Sequence, residues 1–469
     1  MTQVTIRNAN DVVSYINNHP TGSQRGRIIA WVALGSIFID AYDFTSLSLG
    51  IGSLKSEFSP NATELGLLTA SIAIGAFLGA IAGGWLVDRL GRYKLLILDL
   101  LLFVVAAVAA GLSPNIWALI FFRFLLGIGV GIDMPAALSL ISEFSRTREK
   151  GRSVNLWQLL WYAATVLSAL ITLPIIGLAG GNHLWRWAVG LGAVPALIVL
   201  ILRLVYADES PMWAAKHLGL KDAVDVLRKS FSDDFIIEEK DAPAAVKRVQ
   251  VLEIFRGKYL VRTFISCLVS CFQAIQYFGV AFYIPLVIGA ILGKDITQVV
   301  IGTMIINVFG LIGGGTQALA TWKLGMRRLT IIGCSICIVA LLLLGIIPQT
   351  ASPYLIGAML ALFIFGHSFG PGAQGKSYAA LSFPTNLRGV GTGAAEAASR
   401  VGSIVGFFFF PILIATAGVN GTMLWFILVP GIMLISLALT RWDPARVDVD
   451  AEAGQTTPTG VLTEGLRLP

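Results

Sequence analysis

Long apolar runs, separated by short polar or charged connections, recur along the chain. They fall at about 28–50, 64–86, 95–113, 115–142, 154–178, 185–206, 260–292, 297–322, 329–348, 353–381, 389–417 and 421–440. Each comes close to or exceeds the roughly 20 residues that carry an α-helix across a hydrocarbon core about 30 Å thick. A helix satisfies its own backbone donors and acceptors there, where no water can. The pattern predicts an all-α integral membrane protein with twelve transmembrane helices. The connections at 113–115, 349–352 and 418–421 are so short that the spans they join are expected to form antiparallel hairpins. Runs longer than the core are expected to tilt or to extend beyond it.

The polar stretches divide the chain. Residues 1–27 form a polar N-terminal segment, and 28–206 hold six spans. The linker 207–258 mixes Lys221, Asp222, Asp225, Arg228, Lys229, Glu238, Glu239 and Lys240, which reads as a solvated segment with short amphipathic helices. Six more spans fill 259–441, and the polar tail 442–469 is expected to be disordered. The even-numbered connections carry Arg89, Arg92 and Lys94; Arg146, Arg148, Lys150 and Arg152; Lys323, Arg327 and Arg328; and Arg388. The odd-numbered ones carry little beyond Lys55 and Lys294. Basic loops stay in the cytoplasm, so both termini and the linker are predicted to be cytoplasmic. The halves echo each other: WLVDRLGRYK (85–94) aligns with LATWKLGMRR (319–328), Gly91 on Gly325, with Trp322 in place of Asp88. Gly75, Gly79 and Gly83, Gly310 with Gly314, and Gly402 with Gly406 stand four apart, a spacing that lets helices approach closely.

Composition agrees. Hydrophobic residues make up 56% of the 469 and charged residues 13%, with a mean hydropathy of +0.78. Soluble domains carry about 25% charged residues. The net charge of +7 therefore belongs to individual loops and does not point to nucleic acid. The first 25 residues are polar, so no cleavable signal peptide is expected. Cys267, Cys271, Cys334 and Cys337 all fall inside apolar runs and read as packing residues. With no second CxxC and no flanking His, no metal or other cofactor is expected. No HExxH and no Ser/His/Asp grouping is visible, so an enzyme is not indicated.

Chemistry in such a chain rests on ionisable groups placed inside the membrane, where they are costly and therefore functional candidates. The first half offers Asp40, Asp43, Arg123 and Asp133; the second offers His367, Lys376, Glu396 and Arg400. Asp99 and Arg203 lie nearer the cytoplasmic ends, where snorkelling or local pairing accounts for them. Asp40 and Asp43 are three residues apart and share a helix face, so one of the two is expected to hold a proton, as a proton-coupled carrier requires. Two structural carboxylates are the alternative. The Arg123 guanidinium stays charged and needs a carboxylate or a substrate anion. Glu396 and Arg400, four apart, either neutralise each other or contact substrate.

Several motifs add a resemblance. GGWLVDRLGR (83–92), with Gly84, Leu86, Asp88, Arg89, Gly91 and Arg92, resembles the signature that major facilitator superfamily transporters carry between helices 2 and 3. AYD (41–43), Arg123 with Gly127, Gly129 and Gly131, LWRWAVGLGAVPAL (184–197), ESPMW (209–213) and FPTNLRGVGTG (383–393) are similar to sugar porters and related metabolite:proton symporters. The resemblance implies two pseudo-symmetric six-helix halves that rock around a central site. It implies a proton-coupling pair, Asp43 with Arg123, with Asp40 and Asp133 as further candidates, and a cytoplasmic gate at Asp88, Arg89 and Arg92. Substrate contacts are expected from Gln158, Trp161, Gln273, Gln276, Tyr283, His367, Lys376, Glu396 and Arg400. The expected partners are a small molecule, protons and the bilayer of a plasma (inner) membrane, with the chain acting as a monomer. The sugar porters' helix-7 motif is only partly echoed, by Gln273 and Gln276. GIDMP (131–135) and FGPG (369–372) resemble phosphate symporters, but Gly279 stands where their helix-7 Asp is expected. Lys376, His367 and Arg400 give a cationic bias, so a symporter for an organic acid or sugar acid is expected. A neutral sugar is the alternative, ahead of phosphate symport, an efflux antiporter or a transporter-like nutrient sensor.

Overall fold

The computed structural model describes residues 3–18, 24–144, 150–179, 183–231, 233–238, 251–292, 295–348, 351–447 and 449–452. Strand β1 (Gln3–Ile6) and helix α1 (Ala9–Asn18) precede the first half. That half is α2 (Gln24–Phe58), α3 (Ala62–Leu90), α4 (Arg92–Gly111), α5 (Ile116–Phe144), α6 (Lys150–Ala179), and α7 (Leu184–Gly190) with α8 (Ala193–Tyr206). The linker contributes α9 (Pro211–His217), α10 (Leu220–Ser230) and β2 (Asp234–Ile237). The second half is α11 (Lys258–Gln276), a π-turn (Tyr277–Ala281), α12 (Ile284–Leu292), α13 (Ile296–Leu324), α14 (Met326–Ile346), α15 (Pro353–Phe369), α16 (Pro371–Ser382), α17 (Thr385–Phe426) and α18 (Leu428–Leu439). A last turn, α19 (Val449–Glu452), follows.

Ten stretches among the described residues are long and apolar enough to cross a membrane. The last of them contains a break at Gly418 (φ 68°, ψ 179°) that separates two crossings, and α2 supplies the first crossing of the chain. All twelve expected spans thus have a helix. Four are not continuous. The sixth is interrupted at Leu191–Gly192, the seventh by the π-turn, the tenth at Gly370, where Pro371 has no N–H to continue the ladder, and the twelfth at Ile427, between α17 and α18.

The tightest helix contact in the first half is α3 against α5. A Cβ on Gly75 would lie 2.2 Å from the Phe124 carbonyl oxygen, and one on Gly127 2.1 Å from that of Ile72. Only glycine lets these backbones meet. The charged knot after α3 is equally constrained. Gly91 (φ 94°) turns the chain, and the Glu209 carboxylate accepts from the Arg92 amide at 2.8 Å and the Tyr93 amide at 3.3 Å. The second half repeats the device: Gly325 (φ 83°) turns, and Asp443 accepts from the amides of Met326 at 3.2 Å and Arg327 at 3.4 Å. In each case a carboxylate satisfies helix N-terminal N–H groups that would otherwise lack partners.

The polar ends carry more structure than their sequence indicates. β1 pairs in parallel with β2, Gln3 opposite Asp234 through Ile6 opposite Ile237, an exception to the otherwise all-α fold. Ile6, Val12 and Ile16 share a small core with Leu220, Val224, Leu227 and Phe235. α10 supplies its side through the 3.6-residue spacing of Leu220, Ala223, Val224 and Leu227. The tail, expected to be disordered, is ordered in its first part. Glu452 accepts from Arg262 at 2.6 Å and meets Lys258 at 3.0 Å, and these two cations hold its carboxyl below the usual range. Residues 453–469 lie outside the described residues.

Candidate functional site

α2 carries Asp40, Asp43 and Phe44 into the interior, where all three are buried. The two carboxylates take different partners. Nη1 of Arg123, on α5, donates to both oxygens of Asp43, at 2.8 and 2.7 Å, and the two side chains are 0% and 1% exposed. Asp40 instead faces a cavity between the halves. A second buried cluster joins α4, α5 and α8. Arg203 donates to Asp133 at 2.6 Å, to Ser36 at 2.5 Å, to the Leu96 carbonyl at 2.7 Å and to Asp99 at 3.4 Å. Asp99 and Arg203 are therefore locally paired; snorkelling is overturned, because both are buried with counter-charges from neighbouring helices. Asp133 belongs to this cluster and does not line the cavity.

The cavity holds about 550 Å³ of space between atoms, part of it open to solvent. Seven of the expected substrate contacts line it: Gln158, Trp161, Gln273, His367, Lys376, Glu396 and Arg400. Two do not. Gln276 is buried behind His367, its Oε1 3.0 Å from Nδ1 of that ring. Tyr283 lies in a separate contact between the halves, 2.7 Å from the Thr69 hydroxyl and donating to the Phe407 carbonyl at 3.0 Å; Ser48 donates to the Phe282 carbonyl nearby.

Helix breaks shape the cavity. The π-turn places Tyr277 and Phe278 on its wall, and the break at Gly370 separates His367 on α15 from Lys376 on α16. Gly372 leaves the room: a Cβ there would lie 2.6 Å from His367 Nε2 and 2.9 Å from Gln158 Nε2. Glu396 and Arg400 do pair, at 3.2 Å, and Lys376 approaches the same carboxylate at 3.9 Å. The cationic bias expected of this region is corrected by Asp40 and Glu396, two carboxylates set against Lys376 and Arg400 on the same lining. Sequence reasoning missed Phe44, Tyr277, Phe278, Ser399 and Ser403. The last two were within reach, since Glu396, Ser399, Arg400 and Ser403 repeat at i, i+3, i+4 and i+7 in an apolar run.

At the expected gate, the Asp88 side chain lies outside the described residues and Arg89 is exposed. Arg92 donates through Nη1 to the Val87 carbonyl at 3.1 Å, and its amide meets Glu209 of the linker, so these contacts join the first half to the linker and not to the second half.

Residues 28–442 match a protein family described as "Sugar (and other) transporter". The chain is 29% identical over 400 residues to the putative metabolite transport protein YaaU of Escherichia coli (strain K12), covering 85% of this chain and 87% of the relative. It is 26% identical over 392 residues to the glucose transporter GlcP of Staphylococcus epidermidis (strain ATCC 12228 / FDA PCI 1200), covering 81% and 86%. Among solved structures, the xylose transporter XylE from E. coli, in a partially occluded inward-open conformation, superposes with a TM-score of 0.73 at 20% identity. The match covers 90% of this chain and 99% of that one.

Proposed function

Because this chain belongs to the sugar (and other) transporter family and is a multi-pass membrane transporter of the major facilitator fold, we propose that it is a proton-coupled symporter working by alternating access. It imports a small polar metabolite, an organic acid or sugar acid, across a plasma (inner) membrane, as a monomer with both termini in the cytoplasm. The observation that carries the proton coupling is the buried pair of Asp43 with Arg123. An ionised Asp43 holds Arg123; a protonated one loses that attraction and lets α2 move relative to α5 as the halves rock. Proton and substrate are linked because both favour the same state, and that linkage is reciprocal. Substrate binds in the cavity lined by Gln158, Gln273, Lys376 and Arg400.

A neutral sugar is the second reading. The balanced charge of the lining supports it, and so does the likeness to a glucose transporter. Uptake into proteoliposomes decides between them, with candidate acids and sugars offered with and without an inward proton gradient. Accumulation of an acid only under the gradient is the expected result. Accumulation of sugars and not of acids would transfer the function to the second reading, and indifference to the gradient would end the proton-coupling proposal.

A further inference from the structure

The lining of the cavity is divided in character. Four aromatic rings close on one another. Phe44 lies 5.2 Å from Phe278, Phe278 5.1 Å from Tyr277, Tyr277 5.7 Å from Trp161, and Trp161 6.0 Å from Phe44, all between centroids. The polar atoms of this group are largely spent on each other, since Trp161 Nε1 donates to the Tyr277 hydroxyl at 2.7 Å. All four rings line the cavity. The charged part of the lining comes from α2, α16 and α17. There a single carboxylate, Glu396, serves both Arg400 and Lys376. It balances one of those positive charges, and Asp40, the other carboxylate on the lining, balances the second.

We propose, on the premise that this cavity is the transport site, that it takes a flat, unsaturated ring bearing one carboxylate, and that Asp40 must be protonated for that carboxylate to bind. The ring enters the aromatic cup, and the carboxylate approaches Lys376 and Arg400. Arg400 is nine-tenths buried, and its Nε has no hydrogen-bond partner among the described residues. With Asp40 ionised, the lining carries no net charge and gives an anion no electrostatic reason to enter. With Asp40 protonated, the lining carries one positive charge, which one substrate carboxylate neutralises; burying either charge alone would be costly. The other charged groups near Asp40 already have partners: Asp43 has Arg123, and Asp133 has Arg203. His367, from α15, faces the same cavity with its Nδ1 held by Gln276. Protonation of Asp40 thus governs whether the anion binds, a step apart from the Asp43–Arg123 pair that governs the rocking of the halves. A sugar fits less well, because hydroxyls on the rim of its ring would meet carbon over most of the cup, where no donor or acceptor awaits them.

The test is equilibrium binding to the purified full chain in detergent micelles, with benzoate as probe, from about pH 6 to 8, where benzoate stays ionised. Binding is expected to tighten up to about tenfold for each unit the pH falls while Asp40 remains mostly ionised. Asp40→Asn is expected to bind benzoate at every pH about as tightly as the wild type does at the acidic end. Lys376→Gln is expected to weaken binding by about tenfold or more. Benzamide, which lacks the charge, and cyclohexanecarboxylate, which lacks the flat ring, are each expected to bind at least about tenfold more weakly than benzoate. Wild-type binding independent of pH, an unchanged pH dependence in Asp40→Asn, or benzamide binding as well as benzoate would overturn the proposal. So would glucose binding more tightly than benzoate. Because binding needs no gradient, proton-linked benzoate binding without gradient-driven uptake would support this inference while refuting symport.

Discussion

The pairing of Asp43 with Arg123 makes a prediction sharp enough to fail. Both side chains are almost wholly inaccessible, at 1% and 0%, and both carboxylate oxygens accept from the same Nη1. At an effective dielectric of about 20, charges about 4 Å apart attract by about 4 kcal/mol. Removing one partner strands the other, at about 3–5 kcal/mol, whereas replacing both removes the two desolvation penalties together. Arg123→Gln and Asp43→Asn should therefore each lower the thermal midpoint of the purified protein. The double variant Asp43→Asn/Arg123→Gln should be more stable than the sum of two single losses predicts, by a coupling of about 2–4 kcal/mol. Asp43→Asn should also uncouple transport: counterflow exchange persists in proteoliposomes, and a proton gradient no longer drives accumulation. Additive stability losses would show that the pair is not energetically joined. Gradient-driven accumulation by Asp43→Asn would show that coupling does not pass through it, and loss of that response in Asp40→Asn alone would assign coupling to Asp40.

Three further outcomes follow from groups outside the spans. Glu209→Ala leaves the Arg92 and Tyr93 amides without their carboxylate and should cost about 1–2 kcal/mol in thermal stability, with Gly91→Ala at least as damaging because φ 94° strains any side chain. Burial pushes the Glu57 carboxyl up, but Arg186 and Trp185 outweigh this and hold it below its usual range. Its contribution is thus present above the unfolded value near about pH 4.3 and lost as pH falls through the lower folded one, a loss absent from Glu57→Gln in thermal scans down to about pH 3. A cysteine placed at the exposed Lys221 should react with an impermeant thiol reagent only after cells are opened; labelling from outside intact cells would reverse the orientation.

What the sequence made legible was set by how local each signal is. Twelve crossings are readable because hydrophobic length is summed over some 20 residues and tolerates errors at any one of them. The Asp43–Arg123 pairing was reachable through the family resemblance; residue chemistry alone said that Arg123 needs a carboxylate or an anion and left its partner open. The docking of β1 on β2 was not readable: four-residue strands 231 positions apart carry no periodic signal of their own, and their pairing depends on the small core they share with α10. Asp443 was missed for a related reason. Its role as partner of the Gly325 turn appears only when it is set beside Glu209 at the Gly91 turn, an acid two positions before a proline in one case and directly before one in the other.

The cavity itself marks where sequence periodicity stops serving. Tyr277 and Phe278 fall inside the apolar run 260–292, where they break the sugar porters' helix-7 motif, and on an unbroken α-helix they would point about 100° apart. The π-turn from Tyr277 to Ala281 changes that register, and both rings end up on the same wall. The tenth span behaves alike: His367 and Lys376 lie nine residues apart, half a turn out of phase on an ideal helix, yet the break at Gly370 lets both reach the cavity. Helix breaks inside a bilayer persist only where protein or a water-filled cavity satisfies the freed backbone groups. FGPG (369–372), with its Gly370–Pro371 break, therefore says the most about where the site lies, and the arrangement of charge around it is set by where the broken helices place Lys376 and His367.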